Sequence, residues 1–282
     1  MIVFDSKEQL RAEIKALKVK NKRIGFVPTM GALHNGHLSL VEAGFKKTDV
    51  IVVSVFVNPT QFDNTEDLKK YPRTLEQDII LLETVSKNII VYAPTVEDIY
   101  SNNVVSESFS FDGLEYEMEG KFRDGHFNGV GTIVKSLLEI VTPEYAFFGE
   151  KDFQQLQIIK KLVEKHKIPV KIIGCKIHRE TNGLAMSSRN IRLTKEHKIE
   201  APFIYKILKE AKLKFGTKSA NKVTEWVTKE FEKNNLLNLE YFIIADTKTL
   251  KTVKRKHNKN TYRAFIAVYA GKIRLIDNIA LN

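Results

Sequence analysis

Two histidines in a glycine-containing loop are the strongest sign of chemistry in this 282-residue chain. The segment Pro-Thr-Met-Gly-Ala-Leu-His-Asn-Gly-His (28–37) follows an apolar run and precedes a helical pattern, which puts His34 and His37 near a helix start. Free N–H groups and the positive end of the helix dipole bind anions there, phosphates in particular. Gly31 and Gly36 let the backbone approach a ligand closely. The alternative is that both histidines only cap and pack the turn.

A second polar segment, Phe-Gly-Glu-Lys-Asp-Phe-Gln-Gln (148–155), directly follows another apolar run. Lys151 is placed to reach a phosphate, Asp152 to accept a hydrogen bond from a ribose hydroxyl, and Gln155 to orient a polar substrate. An ordinary helix start with an Asp near its first turn explains the same residues equally well. The segment therefore favours a nucleotide site without establishing one.

Two weaker motifs could complete such a site. Met-Ser-Ser-Arg-Asn (186–190) places two hydroxyls beside Arg189, whose guanidinium fits phosphate oxygens. Asn-Pro-Thr-Gln-Phe (58–62) puts amides after the most apolar strand, where a small substrate would lie, although a simple turn is the alternative. The chain has no P-loop, no Gly-x-Gly-x-x-Gly fingerprint and no Cys/His metal spacing, so a nucleotide site must be of another kind.

Strand and helix patterns alternate over residues 1–177, and these elements must position the motifs. Strands are predicted at 23–28, 50–57, 89–92, 145–148 and 170–173. Helices are predicted at 7–20, 37–47, 74–86, 129–141 and 153–166. The β-branched run at 50–57 is typical of a strand buried on both faces of a parallel sheet. We therefore expect a Rossmann-like α/β fold, a doubly wound parallel sheet with ligands at the carboxyl ends of its strands.

Residues 178–282 predict a second, smaller α+β domain that carries the whole positive charge. Helices are expected at 195–214 and 219–233, and strands at 239–245, 262–270 and 272–278. This part holds 22 of the 45 Lys and Arg but 10 of the 34 Asp and Glu, a net charge of +12 against −1 for residues 1–177. Such an asymmetry indicates either an anionic partner or a solvated basic surface. We expect two domains, 1–177 and 178–282.

Composition excludes several other classes of protein. A hydrophobic fraction of 43% and a charged fraction of 28% are globular values, and they exclude wholesale disorder and fibres. The single Cys175 cannot form an intrachain disulfide, which favours a reducing, cytoplasmic setting, and a buried thiol explains it better than a catalytic one. No signal peptide or membrane-spanning pattern occurs, so we expect a soluble protein.

Six motifs occur in a specific order along nearly the whole chain. They are 28–37, Val-Ser-Val-Phe-Val-Asn-Pro-Thr-Gln-Phe (53–62), Tyr-Pro-Arg-Thr (71–74), His-Phe-Asn-Gly-Val (126–130), Phe-Gly-Glu-Lys-Asp-Phe-Gln-Gln-Leu (148–156) and Gly-Leu-Ala-Met-Ser-Ser-Arg-Asn (183–190). Together with the closing Arg-Leu-Ile-Asp-Asn (274–278), they closely resemble the pantothenate synthetase (pantoate–β-alanine ligase) family. The His-x-Gly-His element also resembles the wider group of nucleotidyl-transferase-like α/β enzymes.

The resemblance implies an ATP-dependent ligase that condenses (R)-pantoate with β-alanine in pantothenate and coenzyme A biosynthesis, releasing AMP and pyrophosphate. The pantoate carboxylate would attack the α-phosphorus to give pantoyl adenylate, and the β-alanine amine would then displace AMP. Adenylation turns a carboxylate oxygen into a good leaving group, so the protein supplies mainly positioning and charge stabilisation.

The resemblance also implies roles for individual residues. His37, His34 and Lys151 are the predicted catalytic residues, and His37 would either donate a proton or only stabilise charge. The predicted ATP-binding residues are Met30, Gly31, His34, His37, Gly149, Glu150, Lys151, Asp152, His178 (through its backbone), Met186, Ser187, Ser188 and Arg189. Gln61 and Gln155 would bind pantoate, and Gln61 also lies where β-alanine must enter. Weaker candidates for the substrate site are Asn58, Arg123 and His126.

The family resemblance also implies a metal ion, a lid domain and a homodimer. ATP requires Mg²⁺, and Asp78 is the family-matched acid for it, although Gln77 stands where some relatives have a second acid. The C-terminal domain would act as a lid that keeps water from the adenylate, and the protein would be a cytoplasmic homodimer with no nucleic-acid or membrane partner. Two rival functions are an adenylyltransferase that leaves AMP on its product and a nucleic-acid-binding protein that uses the basic C-terminal part.

Overall fold

A computed structural model describes residues 1–62, 68, 69, 71–101, 103–257 and 259–282, which divide into two compact units. Unit 1 comprises Met1–Glu150 and Gln154–Lys176, and unit 2 comprises Lys151–Phe153 and Ile177–Asn282. The short segment Lys151–Phe153 therefore groups with the C-terminal part of the chain. Over the described residues, none of the helices combines the length and the apolar character that a membrane crossing needs.

Unit 1 contains a six-stranded parallel sheet in the order β1-β4-β3-β2-β5-β6. The strands are β1 (Ile2–Phe4), β2 (Ile24–Thr29), β3 (Val50–Val55), β4 (Ile89–Tyr92), β5 (Tyr145–Gly149) and β6 (Lys171–Cys175). From β2 the chain proceeds outward through β3 and β4, and from β5 it proceeds in the opposite direction to β6. The order thus reverses between β2 and β5, and sheets of this kind bind ligands beyond the carboxyl ends of the strands at that point.

The helices of unit 1 cover the sheet because its strands are apolar on both faces. They are α1 (Lys7–Val19), α2 (Asn35–Phe45), α3 (Leu75–Glu83), α4 (Val96–Tyr100), α5 (His126–Val141) and α6 (Phe153–Lys165), which belongs to unit 1 from Gln154 onward. In one core cluster, Val41 of α2 and Leu82 of α3 pack with the sheet residues Val53 and Val91. Helix α2 lies very close to the sheet, since a Cβ at Gly44 would come within 2.5 Å of a methyl group of Ile51.

Unit 2 packs helices on a small antiparallel sheet of order β7-β8-β9. Its elements are α7 (Lys195–Glu200), α8 (Phe203–Thr217), α9 (Ala220–Glu232), β7 (Leu237–Asp246), β8 (Tyr262–Ala270) and β9 (Ile273–Ala280). Leu208 and Val227 from the helices share a buried core with Ile244, Ile266 and Leu275 from the strands. This unit therefore has its own hydrophobic core.

The predicted fold class, a doubly wound parallel α/β sheet with a smaller α+β part, is confirmed. The predicted helix at 195–214 is wrong in one respect, because it is two helices that part at Ala201 and Pro202. Proline has no N–H to donate and its ring obstructs the preceding turn, so a helix breaks there. Strand β1 and helix α4 were not predicted, and α5 begins at His126, three residues before the predicted start.

Candidate active site

The loop between β2 and α2 presents both histidines at a helix start. His34 is the N-cap residue of α2, and its Nδ1 accepts a hydrogen bond from the Gly36 N–H at 3.1 Å. The Nδ1 atom of His37 accepts one from the His34 N–H at 3.3 Å, and the two ring centres are 4.1 Å apart. The predicted capping role of the histidines is therefore present.

Capping through Nδ1 also decides what the other ring nitrogen does. A nitrogen that accepts an N–H bond carries no proton, so each neutral imidazole of His34 and His37 holds its proton on Nε2. In this tautomer, Nε2–H is a hydrogen-bond donor suited to an anionic oxygen. The capping role and an anion-binding role are thus compatible in one loop.

Asp78 on α3 holds this loop in place. Its Oδ2 accepts from the Ala32 N–H at 3.0 Å, and its Oδ1 accepts from the Leu33 N–H at 2.7 Å and from the Thr74 hydroxyl at 3.2 Å. The side chain is almost fully buried, with 2% of the residue exposed. Gly31, in the left-handed region at φ +82°, brings the chain so near that a Cβ there would lie 3.1 Å from Oδ2. The carboxylate fixes the backbone of the histidine loop.

The same bonds bear on the predicted magnesium site. Both carboxylate oxygens of Asp78 already accept protein donors, and position 77 holds a glutamine. Across the described part of the chain, no group of three or more His, Cys, Asp or Glu side chains is arranged to hold a metal ion. Asp78 therefore does not fit a dedicated protein cage for magnesium, an ion that usually keeps several waters.

The turn after β3 positions the predicted pantoate residues. Asn58, with 1% of its surface exposed, donates from Nδ2 to the Gln61 side-chain oxygen and to the Gly129 carbonyl, each at 3.2 Å. Its Oδ1 accepts from the Tyr100 hydroxyl at 2.5 Å and from the Thr60 hydroxyl at 3.2 Å. Burial raises the pKa of the Tyr100 phenol, so this hydroxyl stays protonated and remains a donor. Asn58 thus orients Gln61 from inside the protein.

Arg123 and His126 hold the same turn from the start of α5. The carbonyl of Gln61 accepts from Arg123 Nη2 at 3.2 Å and lies 2.8 Å from His126 Nδ1. The Nη1 atom of Arg123 lies 3.0 Å from Nε2 of His126. The Gln61 side-chain amide lies against the sulfur of Met30, which links this turn to the histidine loop. The structure therefore brings together Met30, Gly31, His34, His37, Asn58, Gln61 and Asp78.

The carboxyl end of β5 carries the rest of the unit 1 residues. Gly149 is the last residue of β5, and the space that its Cβ would occupy is open. Glu150 follows it, and Gln155 is half-buried on α6. The neighbouring Gln154 is instead an anchor, because its buried amide bonds to Leu114, Glu117 and Glu119 backbone groups. Because β5 pairs with β2, these residues follow the strand beside the histidine loop.

Cys175 at the end of β6 is not suited to nucleophilic chemistry. Burial, and secondly the nearby Glu150 carboxylate, raise the pKa of its thiol. The thiolate is the nucleophilic form, and both effects disfavour it.

Unit 2 brings together the remaining predicted residues in two places. The His178 carbonyl accepts from the Met186 N–H at 3.0 Å, so His178 and Met186 are adjacent. Ser187 caps a 3-10 turn at Ser188–Arg192 by accepting from the Arg189 N–H at 3.3 Å. In the second place, the Lys151 ammonium lies 3.5 Å from the exposed carboxylate of Asp152.

Three residues that support the site were not predicted. Tyr100 bonds to Asn58, Gln154 holds the segment around Glu117, and Gly129 lets α5 touch the 59–61 turn, since a Cβ there would lie 2.2 Å from the Thr60 carbonyl oxygen. Gly129 and Gln154 lie in the motifs at 126–130 and 148–156, but neither motif indicated these contacts, and Tyr100 lies in none of the motifs. Tyr100 and Gln154 act over long separations that no local pattern reveals.

Comparison with known proteins decides the family. Residues 2–280 match the family model described as pantoate-beta-alanine ligase. The chain belongs to this family. A curated member, the pantothenate synthetase of Flavobacterium psychrophilum, is 59% identical over the full length of both chains, and that of Christiangramia forsetii is 57% identical, also over both full lengths.

Solved structures of the pantoate–β-alanine ligase family agree with the fold. The pantothenate synthetase of Thermus thermophilus superposes with a TM-score of 0.91 at 35% identity, covering 100% of this chain and 99% of that one. The Francisella tularensis ligase, complexed with β-γ ATP and β-alanine, has a TM-score of 0.83 at 38% identity and covers 100% and 98%. The chain is thus an enzyme of the ligase class, and the predicted family and reaction, the joining of pantoate to β-alanine, are confirmed.

Proposed function

We propose that this chain condenses pantoate with β-alanine at the expense of ATP, through pantoyl adenylate, at the carboxyl ends of β2 and β5. One observation carries the proposal: the capped histidine loop follows β2, the strand next to which the sheet order reverses, in a chain matching the ligase family over residues 2–280. The Francisella tularensis relative, complexed with β-γ ATP and β-alanine, supports these two ligands. Pantoate is the acid in the family's name.

The reaction proceeds in two displacements. A pantoate carboxylate oxygen attacks the α-phosphorus of ATP, the bond to the bridging oxygen breaks, and pyrophosphate leaves. The β-alanine amine then attacks the acyl carbon, loses a proton, and AMP leaves with the electron pair of the acyl–oxygen bond. Negative charge moves between oxygens in both steps, so fixed donors aimed at those oxygens lower the barriers.

His34 and His37 serve as such donors through Nε2–H. Their Nδ1 atoms are occupied by backbone N–H groups, so ring orientation is set before ATP binds. Met30 and Gly31 complete the loop on which ATP lies. His37 contributes by stabilising phosphate charge, or by giving its Nε2 proton to the leaving oxygen.

The family motifs at 148–156 and 183–190 supply the remaining nucleotide-binding residues of the proposal. Lys151, Ser187, Ser188 and Arg189 contact the phosphates, and Met186 lies beside them. Gly149, Glu150 and Asp152 contact the ribose region, and the His178 backbone contacts adenine. This distribution follows the family motifs at 148–156 and 183–190.

Gln61 and Gln155 bind pantoate through its hydroxyl and carboxylate groups. Asn58 contributes by orienting Gln61, since its amide is buried and bonded to the Gln61 side chain. The backbone of Gln61 is held by Arg123 and His126, which keeps the side chain aimed in one direction.

Magnesium enters this scheme as part of the nucleotide. Mg²⁺ bound to triphosphate oxygens and water needs few protein ligands. Asp78 as a direct ligand stays a prediction, since the ion would compete with the donors that its carboxylate now accepts. The homodimer, the cytoplasmic location and the role of the C-terminal part as a lid also stay predictions.

A pyrophosphate-release assay tests the proposal. With ATP, pantoate and β-alanine together, we expect pantothenate and free AMP in equal amounts. Omission of β-alanine should leave pantoate-dependent ATP–pyrophosphate exchange intact. A product that retains AMP would identify an adenylyltransferase instead, and salt-sensitive RNA binding without turnover would identify a nucleic-acid-binding protein.

Lys151→Ala tests the phosphate role of that residue. We expect exchange to fall about 100-fold, because one removed charge-stabilising donor typically costs that much in rate. The thermal unfolding midpoint should change little, since the Lys151 ammonium lies 3.5 Å from the exposed carboxylate of Asp152 and ion pairs of this kind contribute little to stability. Exchange near the wild-type rate would show that Lys151 does not bind the phosphates.

A further inference from the structure

The closing motif Arg-Leu-Ile-Asp-Asn (274–278) has no role in the reaction as described so far. It forms most of β9, in the middle of which Asp277 and Asn278 are buried, with 5% and 2% of their surfaces exposed. Buried polar side chains of this kind are rare unless they are bonded, and the partners of these two residues indicate what they do.

Asp277 is the fixed end of a polar network in unit 2. Its carboxylate makes a two-pronged ion pair with Arg179, with N–O distances of 2.6 and 2.9 Å. The Arg179 guanidinium is stacked over the ring of Tyr205, 3.5 Å from its centre. The same carboxylate accepts the N–H of Asn278 at 2.7 Å. The backbone at Asn278 is therefore held rigidly.

The side-chain amide of Asn278 connects this network to the segment that carries Lys151. Its Oδ1 accepts from Arg263 Nη1, and its Nδ2 donates to the carbonyl oxygen of Lys151 at 2.8 Å. The guanidinium of Arg263 in turn lies over the Phe153 ring, 4.1 Å from its centre. The centre of the Phe265 ring lies 5.9 Å from the centre of the Phe153 ring. Both ends of Lys151–Phe153 are thus attached to strands β8 and β9.

We propose that Asn278 is a positioning residue for Lys151 and that this is the function of the closing motif. A lysine has a long, flexible side chain, so the place that its ammonium reaches depends on where its backbone is fixed. Asn278 fixes that backbone through its hydrogen bond to the Lys151 carbonyl, which joins residues 127 positions apart. The inference rests on the proposed role of Lys151 at the ATP phosphates.

Asn278→Asp is the sharpest variant, because it keeps the shape and the oxygen that accepts from Arg263. It replaces the donor by a carboxylate oxygen that faces the Lys151 carbonyl, so the bond is lost and repulsion takes its place. The β-alanine step does not depend on the Lys151–phosphate contact, because pyrophosphate has left before the amine attacks. We therefore expect kcat/KM for ATP in the exchange reaction to fall about tenfold, the equivalent of one lost hydrogen bond to a charged or fixed group, while KM for β-alanine stays unchanged.

Asn282→Asp is the matched control. Asn282 has the same bonding pattern, since its Oδ1 accepts the Tyr262 N–H at 2.7 Å and its Nδ2 donates to the Asn260 carbonyl at 2.9 Å. Neither Tyr262 nor Asn260 is a predicted site residue. We expect the control to leave exchange kinetics at wild-type values. Should Asn278→Asp fail to fold, Asn278→Ser removes the same bond without adding charge.

A double-mutant cycle separates positioning from a general structural effect. If Asn278 acts through Lys151, adding Asn278→Asp to Lys151→Ala should lower exchange by less than about twofold, since the ammonium that Asn278 positions is already absent. A further tenfold loss in that background, or an unchanged kcat/KM for ATP in the single variant, would overturn the inference. A wild-type protein that shows no pantoate-dependent exchange would instead overturn the proposed function, and this inference with it.

Discussion

The Asp78 carboxylate illustrates how a single buried residue can control a site that it does not touch. It accepts the Ala32 and Leu33 N–H groups, directly before the His34 cap. A carboxylate offers two acceptor oxygens, whereas an amide offers one oxygen and one NH₂ group. Asp78→Asn therefore keeps the size of the side chain but leaves one loop N–H facing another donor.

We expect Asp78→Asn to lower kcat/KM for ATP about tenfold or more, because an unsatisfied buried N–H costs roughly 1–3 kcal/mol. The activity should be measured over a range of Mg²⁺ concentrations. A loop-positioning role predicts that the loss is the same at all of them, whereas a direct ligand predicts recovery at high Mg²⁺.

Asp49→Asn is the control for this variant. Asp49 also accepts a backbone N–H, that of Arg23 at 2.8 Å, but the two residues lie at the amino ends of β3 and β2, opposite the carboxyl ends that the motif loops follow. We expect wild-type kinetics from it. An Asp78→Asn enzyme with the same kinetics as this control would show that the loop holds its shape without the carboxylate.

At the residue scale, sequence motifs predicted the groups that carry chemistry better than the groups that hold them. His34, His37 and Gln61 stand in dense local patterns after strands. Tyr100 contacts Asn58 across 42 residues, and nothing in the intervening sequence encodes that pairing. Such supporting residues become visible only when the fold brings distant segments together.

At the scale of elements, the contact of α5 with the 59–61 turn is unusually close. Gly129→Ala would place a methyl group 2.2 Å from the Thr60 carbonyl oxygen and 2.9 Å from the Gln61 Cα, and backbone atoms cannot move aside without shifting the whole turn. We expect a loss of about 1–3 kcal/mol in unfolding free energy from overpacking. Because Gln61 moves with the turn, KM for pantoate should rise as well.

Gly216→Ala in α8 is the matched control, since nothing lies within 4 Å of the Cβ that it adds. We expect it to stabilise the protein by up to about 1 kcal/mol through helix propensity, with unchanged KM for pantoate. Urea unfolding monitored by circular dichroism compares the two variants. Equal stability of both would contradict the close packing of α5.

The element predictions failed where a local signal was weak or was overridden. The split at Pro202 was readable from the proline alone, whereas the early start of α5 depends on Gly125, which adopts φ +69° and turns the chain into the helix. Strand β1 has three residues and pairs with β4 at the sheet edge, so its pattern is too short to identify. The long apolar strands were predicted because a strand buried on both faces requires an almost continuously apolar sequence.

At the scale of the whole molecule, the net charge of +11 predicts a dependence on salt. ATP and pantoate are anions, and screening weakens their attraction to a basic surface. Raising the ionic strength from about 0.01 M to 0.3 M should lower kcat/KM for ATP about two- to fivefold. The KM for β-alanine, a zwitterion without net charge, is the internal control. Equal sensitivity of both substrates would assign the basic residues to solvated surface alone.

Charge, length and alternating elements predicted two kinds of structure in one chain, but they did not predict that Lys151–Phe153 would group with the C-terminal unit. That grouping depends on buried contacts of Asn278, Arg263 and Phe265, which lie more than 100 positions away. Contacts of that separation are a property of the folded molecule and leave no periodicity in the sequence.

The buried carboxylate of Asp78 has a thermodynamic consequence for ligand binding. Ala32 and Leu33 lie in a loop, yet their amides are bonded to a group with almost no access to water. These amides should exchange their hydrogens for deuterium as slowly as those of the central strands, because only a larger opening exposes them. The conformational entropy of this loop is then lost when the chain folds. Nucleotide binding therefore does not have to compensate for ordering the loop.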